Sequence, residues 1–402
     1  MSDPIAASSP SGAPIRLNKK ASQLARRGHP WFYRDDLLPG EVLHATMVRV
    51  ADVEGRDLGL GFTSTVSKLA LRLCGSFAGK DVPGREEFFA ERLRRAVDRR
   101  AGMLGPMDGA RLVHGESDGL PGLIVDRYGP VLVLQVTAPF VDRCLDAIVP
   151  FLAQLLNAEC VVARNDVSAR KLEQLPQEVQ LLHGRRITET TIIEHGIKHT
   201  IRPFTGHKTG FYLDQRPARA LVRDLAKGRA VLDLFSYQGG FSLAALAGGA
   251  RSALAVDQSE DALQLAQQGA EQNELQGLSI QHSNVFDFLR ELREGPARFD
   301  LVVLDPPAFA KSRRELDGAL RGYRDLNRLA LRLLTEHGFL LTCSCSHHVT
   351  LPMFEDLLRQ AAAGLPFRIA LRQRLGAGPD HPAWLSLPES EYLKVLLLQR
   401  ID

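Results

Sequence analysis

The sequence predicts a multi-part α/β protein whose second half is a mostly parallel sheet covered by helices. An all-β module and an α+β middle region precede it. Three observations carry this reading. From about residue 200 onward, short apolar runs alternate with helical patterns, as in parallel sheets buried on both faces. Residues 15–78 instead hold short β-like runs (MVRVADV, LGLGF, LALRL) separated by Gly-containing turns. Between these parts, strand and helix signals mix without a repeat.

The elements follow in order. Residues 1–14, rich in Ser, Pro and Ala, read as a disordered tail, and 15–78 as a compact β module. Residues 79–199 form the α+β region. It opens on a charged helical segment at 86–104, and Arg127-Tyr128-Gly129-Pro130 splits two apolar runs in a hairpin signal. A helix near 141–156, a strand at Cys160–Ala163 and a strand pair in TIIEHGIKHTI complete it. Residues 200–402 form the parallel-sheet domain. Its strand candidates are AVLDLF (230–235), SALAVD (252–257), LSIQHSN (278–284), FDLVVLD (299–305), FLLTCS (339–344) and YLKVLLLQ (392–399).

Composition narrows the class. A chain of 402 residues, 45% hydrophobic and 24% charged, fits two or three globular domains. No apolar run reaches the roughly 20 residues needed to span a bilayer, and the start lacks an apolar signal core. Five cysteines argue against a disulfide framework and for a reducing, cytoplasmic setting. Between Ile15 and Val50, seven Lys/Arg face three acids. Lys19, Lys20, Arg26, Arg27 and Trp31 are therefore candidates for contact with a polyanion, although an ordinary solvated face explains the charge equally well.

In sheets of this kind, ligands bind at the carboxyl ends of the strands. The first strand runs into Asp233-Leu-Phe-Ser-Tyr-Gln-Gly239-Gly240-Phe241-Ser242, an acid followed by a glycine pair that opens a helix. This is not a pyrophosphate-binding fingerprint, and the acid suits a ligand ammonium. Asp257, 24 residues later, ends the second strand and is placed to accept ribose hydroxyls. Asn284 follows the third strand, where it can meet an adenine edge. Ammonium, ribose and adenine together describe S-adenosylmethionine better than NAD or ATP. The alternative for each polar strand end is a helix N-cap.

The fourth strand ends in Asp305-Pro306-Pro307-Ala308-Phe309, whose prolines stiffen the turn. The fifth ends in LLTCSCSHH, residues 340–348. Neighbouring strand tips lie about 4.8 Å apart, which brings Asp305 and a cysteine within reach of one planar substrate. The C-x-C spacing does not suit zinc, and no metal is expected. Strand packing is the simplest reading of Cys343. Cys345 lies one pleat repeat nearer the ligand face and is the better candidate nucleophile.

Together these residues resemble the class I methyltransferases that make 5-methylcytosine in large-subunit ribosomal RNA. The resemblance covers nearly the whole chain, through GESDGLPGLIVDRYG, HKTGFYLDQR (207–216), LDLFSYQGGFS, VLDPPAFAKS and LLTCSCS. It implies a Rossmann-like, seven-stranded catalytic domain and an N-terminal PUA RNA-binding domain. Cys345 and Asp305 would be the catalytic residues. The S-adenosylmethionine pocket would comprise Phe211, Asp214, Gln215, Asp233, Ser236, Gly239, Asp257, Gln258, Asn284 and Val285, with Asp305 at its edge. Three positions depart from the family's usual pattern. Cys343 replaces an apolar residue, Asn284 an Asp, and His347 a Gly.

Ribosomal RNA is the implied partner, without a membrane, and a homodimer is compatible with the sequence. Lys311 and Arg313 after the DPPAF turn, with Arg324 and Arg328 at helical spacing, are further RNA-contact candidates. A solvated helix face is their bland alternative. Two rival functions remain at this level: an RNA purine N-methyltransferase, and a non-catalytic RNA-binding ribosome-assembly factor.

Overall fold

The computed structural model describes residues 13–75, 83–103, 109–293, 295–310 and 312–402. The expected tail up to residue 12 lies outside them. The described residues divide into two compact units. The first comprises Met1–Ile192, Ile201–Leu213 and Pro379–Ser390, and the second Ile193–Thr200, Asp214–Gly378 and Glu391–Asp402.

The first unit holds two five-stranded sheets. One has the order Ile15–Arg16, Met47–Ala51, Asp57–Thr63, Leu69–Gly75, Trp31–Tyr33. All three β-like runs of the sequence are strands here, but the module also contains a helix, Lys19–Arg26, that the all-β expectation lacks. Its cause is local. The Asn18 side chain accepts from Ala21 N at 2.9 Å and caps the helix, while Ala21 and Ser22 turn inward. The other sheet runs Val179–Gly184, Cys160–Arg164, Val131–Val136, Leu123–Tyr128, Gly109–His114. Helix Arg85–Asp98 buries Phe88, Phe89, Leu93 and Ala96 into its core.

The second unit is built on a seven-stranded sheet. We number its strands β1 (Ala230–Leu234), β2 (Ser252–Asp257), β3 (Leu278–His282), β4 (Phe299–Leu304), β5 (Leu334–Ser344), β6 (Ile369–Leu375) and β7 (Lys394–Arg400). The spatial order is β3-β2-β1-β4-β5-β7-β6. β1 to β5 pair in parallel, and β7 runs antiparallel between β5 and β6. Leu301 to Leu304 and Leu340, Leu341 and Cys343 have no exposed surface, so the central strands are covered on both faces.

Helix Glu260–Gln272 shows how the covering forms. Ser259 caps it, Glu260 and Asp261 favour its positive end, and Ala262, Leu263, Ala266, Gly269 and Ala270 make the buried stripe. β5 begins five residues earlier than its apolar run, because Thr335–Gly338 bulge out between two stretches paired with β4. β6 has no counterpart among the sequence-read strands. Its residues IALRQRL are largely exposed, so the buried-strand signature is missing.

Candidate functional site

The carboxyl ends of β1 to β5 supply the side chains of interest, all within the second unit. After β1 the backbone turns sharply. Phe235, Tyr237 and Gly239 have φ of 61°, 49° and 69°. Left-handed backbone at two aromatic residues is costly and persists where surrounding contacts enforce it. Ser236 N donates to Val256 O, Tyr237 N to Asp257 Oδ2 and Gly239 N to Ser236 O. A Cβ at Gly239 would stand 2.7 Å from that of Ala266, so the loop needs glycine there for close packing as well as for its φ.

Asp233 lies beneath this loop and is fully buried. Its Oδ2 accepts from Ser242 N at 3.0 Å and Ser242 Oγ at 2.7 Å. Burial pushes its pKa up to about 7, assisted by the charges of Asp305 and Asp257 and opposed by the Ser242 bonds. Asp233 Oδ1, Ser236 Oγ and Gln238 Nε2 are buried without a hydrogen-bond partner among the described residues. Buried polar atoms of this kind are rare and mark a place prepared for a polar ligand. A carboxylate, a hydroxyl and an amide around a glycine turn fit the aminocarboxylate end of S-adenosylmethionine.

The next two strand ends serve two purposes. Asp257, half-buried, accepts from Tyr237 N and from Ser259 N at 2.9 Å, tying the β1 and β2 loops together. Each carboxylate oxygen keeps a lone pair for a hydroxyl. Gln258 is exposed, and its carbonyl lies 3.0 Å from His282 Nε2. Asn284 is exposed and Val285 buried at the start of helix Val285–Arg293. Asn284 Oδ1 accepts from Phe286 N at 3.0 Å, so the capping alternative holds for its oxygen.

β4 and β5 pair with Leu304 opposite Thr342, which sets Asp305 beside Cys343 rather than Cys345. Gln215 Nε2 donates to Asp305 Oδ2 at 2.8 Å, and both residues act on the neighbouring Cys343 thiol. Burial, aided by the Asp305 charge, holds the Cys343 thiol well above the ordinary range. With no exposed surface, it is a poor nucleophile. Cys345 lies just beyond the strand end and is half-buried.

The turn at Cys345 is held from several sides. Ser346 Oγ lies 3.0 Å from Tyr323 Oη and accepts from Ala310 N at 3.4 Å, and the Lys394 ammonium donates to Ser346 O at 2.8 Å. Asp214, buried, accepts from Tyr392 Oη at 2.7 Å. The ring of Tyr392 lies 5.5 Å from that of His347, which is exposed like His348. The sequence reading missed Tyr323, Tyr392 and Lys394. Tyr392 and Lys394 lie in the terminal segment 392–399, read only for its apolar run, although the strand begins at Lys394, and Tyr323 lies in a helix read only for its arginines.

Phe211 belongs to the first unit, where it is buried among Tyr128, Ile192 and Ile201. Of the RNA-contact candidates there, Lys19, Lys20 and Arg27 are exposed, and Arg26 is paired with Asp52 and Glu54. Trp31 is half-buried and donates from its indole to Glu116 at 3.0 Å. In the second unit Arg313 is exposed, and Arg324 and Arg328 are half-buried on helix Leu316–Arg332. Lys311 lies outside the described residues. Among the described residues no helix is long and apolar enough to cross a membrane.

Comparison with known proteins agrees with this arrangement. Residues 111–398 match an S-adenosylmethionine-dependent methyltransferase family, and residues 15–74 match a PUA-like domain. The ribosomal RNA large subunit methyltransferase I of Tolumonas auensis is 37% identical over 395 residues, covering 96% of this chain and 99% of the relative. That of Shewanella amazonensis is 38% identical over 390 residues, covering 95% and 98%. A solved methyltransferase from Streptococcus mutans, 23% identical, shares the fold with a TM-score of 0.82 over 96% of this chain and 100% of its own. The buried acid, the strained glycine turn and these matches together place the chain in the S-adenosylmethionine-dependent methyltransferase family.

Proposed function

We propose that the protein methylates C5 of a cytidine in large-subunit ribosomal RNA, with Cys345 as covalent nucleophile. The RNA class rests on relatives named ribosomal RNA large subunit methyltransferase I. The observation that carries the base and the mechanism is the unequal pair of thiols. Cys343 is sealed beside Asp305, while Cys345 is partly open at the end of β5.

S-adenosylmethionine supplies an electrophilic methyl group on a sulfonium. Asp233, Ser236 and Asp257 would hold it, through the unpaired buried atoms and the carboxylate at the β2 end. Cytosine C5 is too weak a nucleophile to accept the methyl unaided. Cys345 Sγ bonds to C6, and the C5=C6 electron pair shifts to C5, which then takes the methyl. Asp305, fixed by Gln215, is suited to hold the N3/N4 edge and stabilise the adduct. A general base then takes the C5 proton, the freed electron pair re-forms the C5=C6 bond, and the C6–S bond breaks to release the Cys345 thiolate. A paired target must be flipped out or already single-stranded.

Trapping tests this directly. RNA carrying 5-fluorocytidine should form a covalent adduct with the wild type and none with Cys345→Ala. Bisulfite sequencing of ribosomal RNA with and without the protein should reveal the modified cytidine. Undiminished methyl transfer by Cys345→Ala would move the reading to ring or exocyclic nitrogens, whose methylation needs no thiol.

A further inference from the structure

Lys394 begins β7 directly opposite Ser344, the last residue of β5. Only 5% of it is exposed. Its ammonium donates to the carbonyls of Ser346 at 2.8 Å and Tyr392 at 2.6 Å. These acceptors satisfy two of its three N–H donors but leave the charge itself unbalanced. A buried lysine without a bonded carboxylate is unusual and calls for a countercharge. When ionised, Cys345 and then Glu391 are the groups that would favour the ammonium.

We propose that Lys394 is a positioning residue for Cys345: its ammonium is the countercharge of the thiolate, and its bond to the Ser346 carbonyl fixes the turn that presents the sulfur. The proposal rests on the reading of Cys345 as nucleophile, and it explains how a thiol at the end of an apolar strand is kept reactive. Burial lowers the lysine to about 8, and the thiolate works against that shift. The same attraction favours the thiolate.

The other titratable groups around the turn do not supply this charge. Tyr323, on helix Leu316–Arg332, bonds the Ser346 hydroxyl and is pushed up to about 12 by burial, so it stays neutral. Cys343 remains a thiol, and Asp305, Glu391 and Asp214 (the last bonded to Tyr392) are acids, which carry no positive charge to offer. His347 is exposed beside Tyr392.

The test is alkylation of Cys345 by iodoacetamide in the full-length protein as a function of pH. The Cys345 peptide is quantified by mass spectrometry, with Cys345→Ser as background. The wild type should show an inflection below the ordinary thiol value of about 8.5. Lys394→Met should raise the inflection by about one unit, slowing alkylation near neutral pH about tenfold. Lys394→Arg should restore it.

Binding of S-adenosylmethionine by calorimetry checks that each variant is folded, and Lys394→Gln replaces Lys394→Met if the latter is not. An unchanged inflection in the folded neutral variant would overturn the proposal, even if methyl transfer were lost. So would an Arg variant that behaves like Met. Alkylation needs no RNA, so failure of the cytosine-5 reading in the trapping experiment remains a separate result.

Discussion

The buried charges of the first unit and the strand ends of the second unit's sheet treat polar groups in opposite ways, although the second unit also closes one buried pair, Glu194 with Arg219. In the first, buried charge is closed on itself. Arg100 forms a bidentate pair with Asp118 at 2.7 and 2.8 Å, Arg111 does the same with Asp126, and Arg72 meets Glu173. In the second, Asp233 Oδ1, Ser236 Oγ, Gln238 Nε2 and Gln215 Oε1 have no hydrogen-bond partner among the described residues. Unsatisfied buried atoms cost stability. These four gather at the β1 end and beside Asp305, where the ligand is proposed to bind.

The largest effect expected from this contrast is chemical. Cys345→Ala should lower methyl transfer by more than about a thousandfold, as loss of a covalent nucleophile does. Calorimetric affinity for S-adenosylmethionine should be retained, because the β1 and β2 loops do not depend on the thiol. The scaffold should fail differently. Arg100→Met strands Asp118, which is almost fully buried, and should cost about 3–5 kcal/mol in denaturant unfolding. A loss below about 1 kcal/mol would show that Arg99, also bonded to Asp118, suffices.

Asp233 gives the next effect, with a sign that follows from its environment. Burial raises its pKa to about 7, so the folded state holds a proton that the unfolded state releases near 3.8. Without ligand, its contribution to stability is greatest below the unfolded value and falls as pH rises towards about 7. Asp233→Asn should remove this slope and stabilise the ligand-free protein at neutral pH by about 1–3 kcal/mol. An ammonium ligand inverts the preference. Affinity for S-adenosylmethionine should rise in the wild type between about pH 6 and 7.5 and stay flat in Asp233→Asn. Parallel profiles in titration calorimetry would remove Asp233 from the ligand's amino group.

The asymmetry also explains what the sequence could reveal. Fully buried parallel strands announce themselves, as AVLDL and FDLVVL do, and the residues just after them are the ones proposed for the site. The placement of Asp233, Asp257, Asp305 and Cys345 at or just beyond strand ends was legible, because topology turns strand ends into one surface. β6 was not, because an outer strand with exposed residues lacks that signature. Helix Lys19–Arg26 was hidden because it is short and fixed by one asparagine cap. Tyr323, Tyr392 and Lys394 come from elements distant in sequence, and only the register of β5 with β7 and the packing around Ser346 bring them to the Cys345 turn. Which of the two cysteines stands beside Asp305 was left open, because it depends on register, which apolar runs do not determine.

The smallest effect separates scaffold from site at a single residue. Asn284 caps helix Val285–Arg293 with its side-chain oxygen, and it is also the residue proposed to meet an adenine edge. Asn284→Ala should cost about 1 kcal/mol of stability through loss of the cap. Asn284→Ser keeps a capping oxygen and removes the amide N–H₂ donor, so its stability should match the wild type. If the amide contacts the adenine, both variants should weaken S-adenosylmethionine binding alike, by about threefold to tenfold. If the residue is only a cap, the Ser variant should bind as the wild type does. Melting and titration calorimetry on the same two proteins therefore assign the oxygen to the helix and decide whether the nitrogen belongs to the ligand.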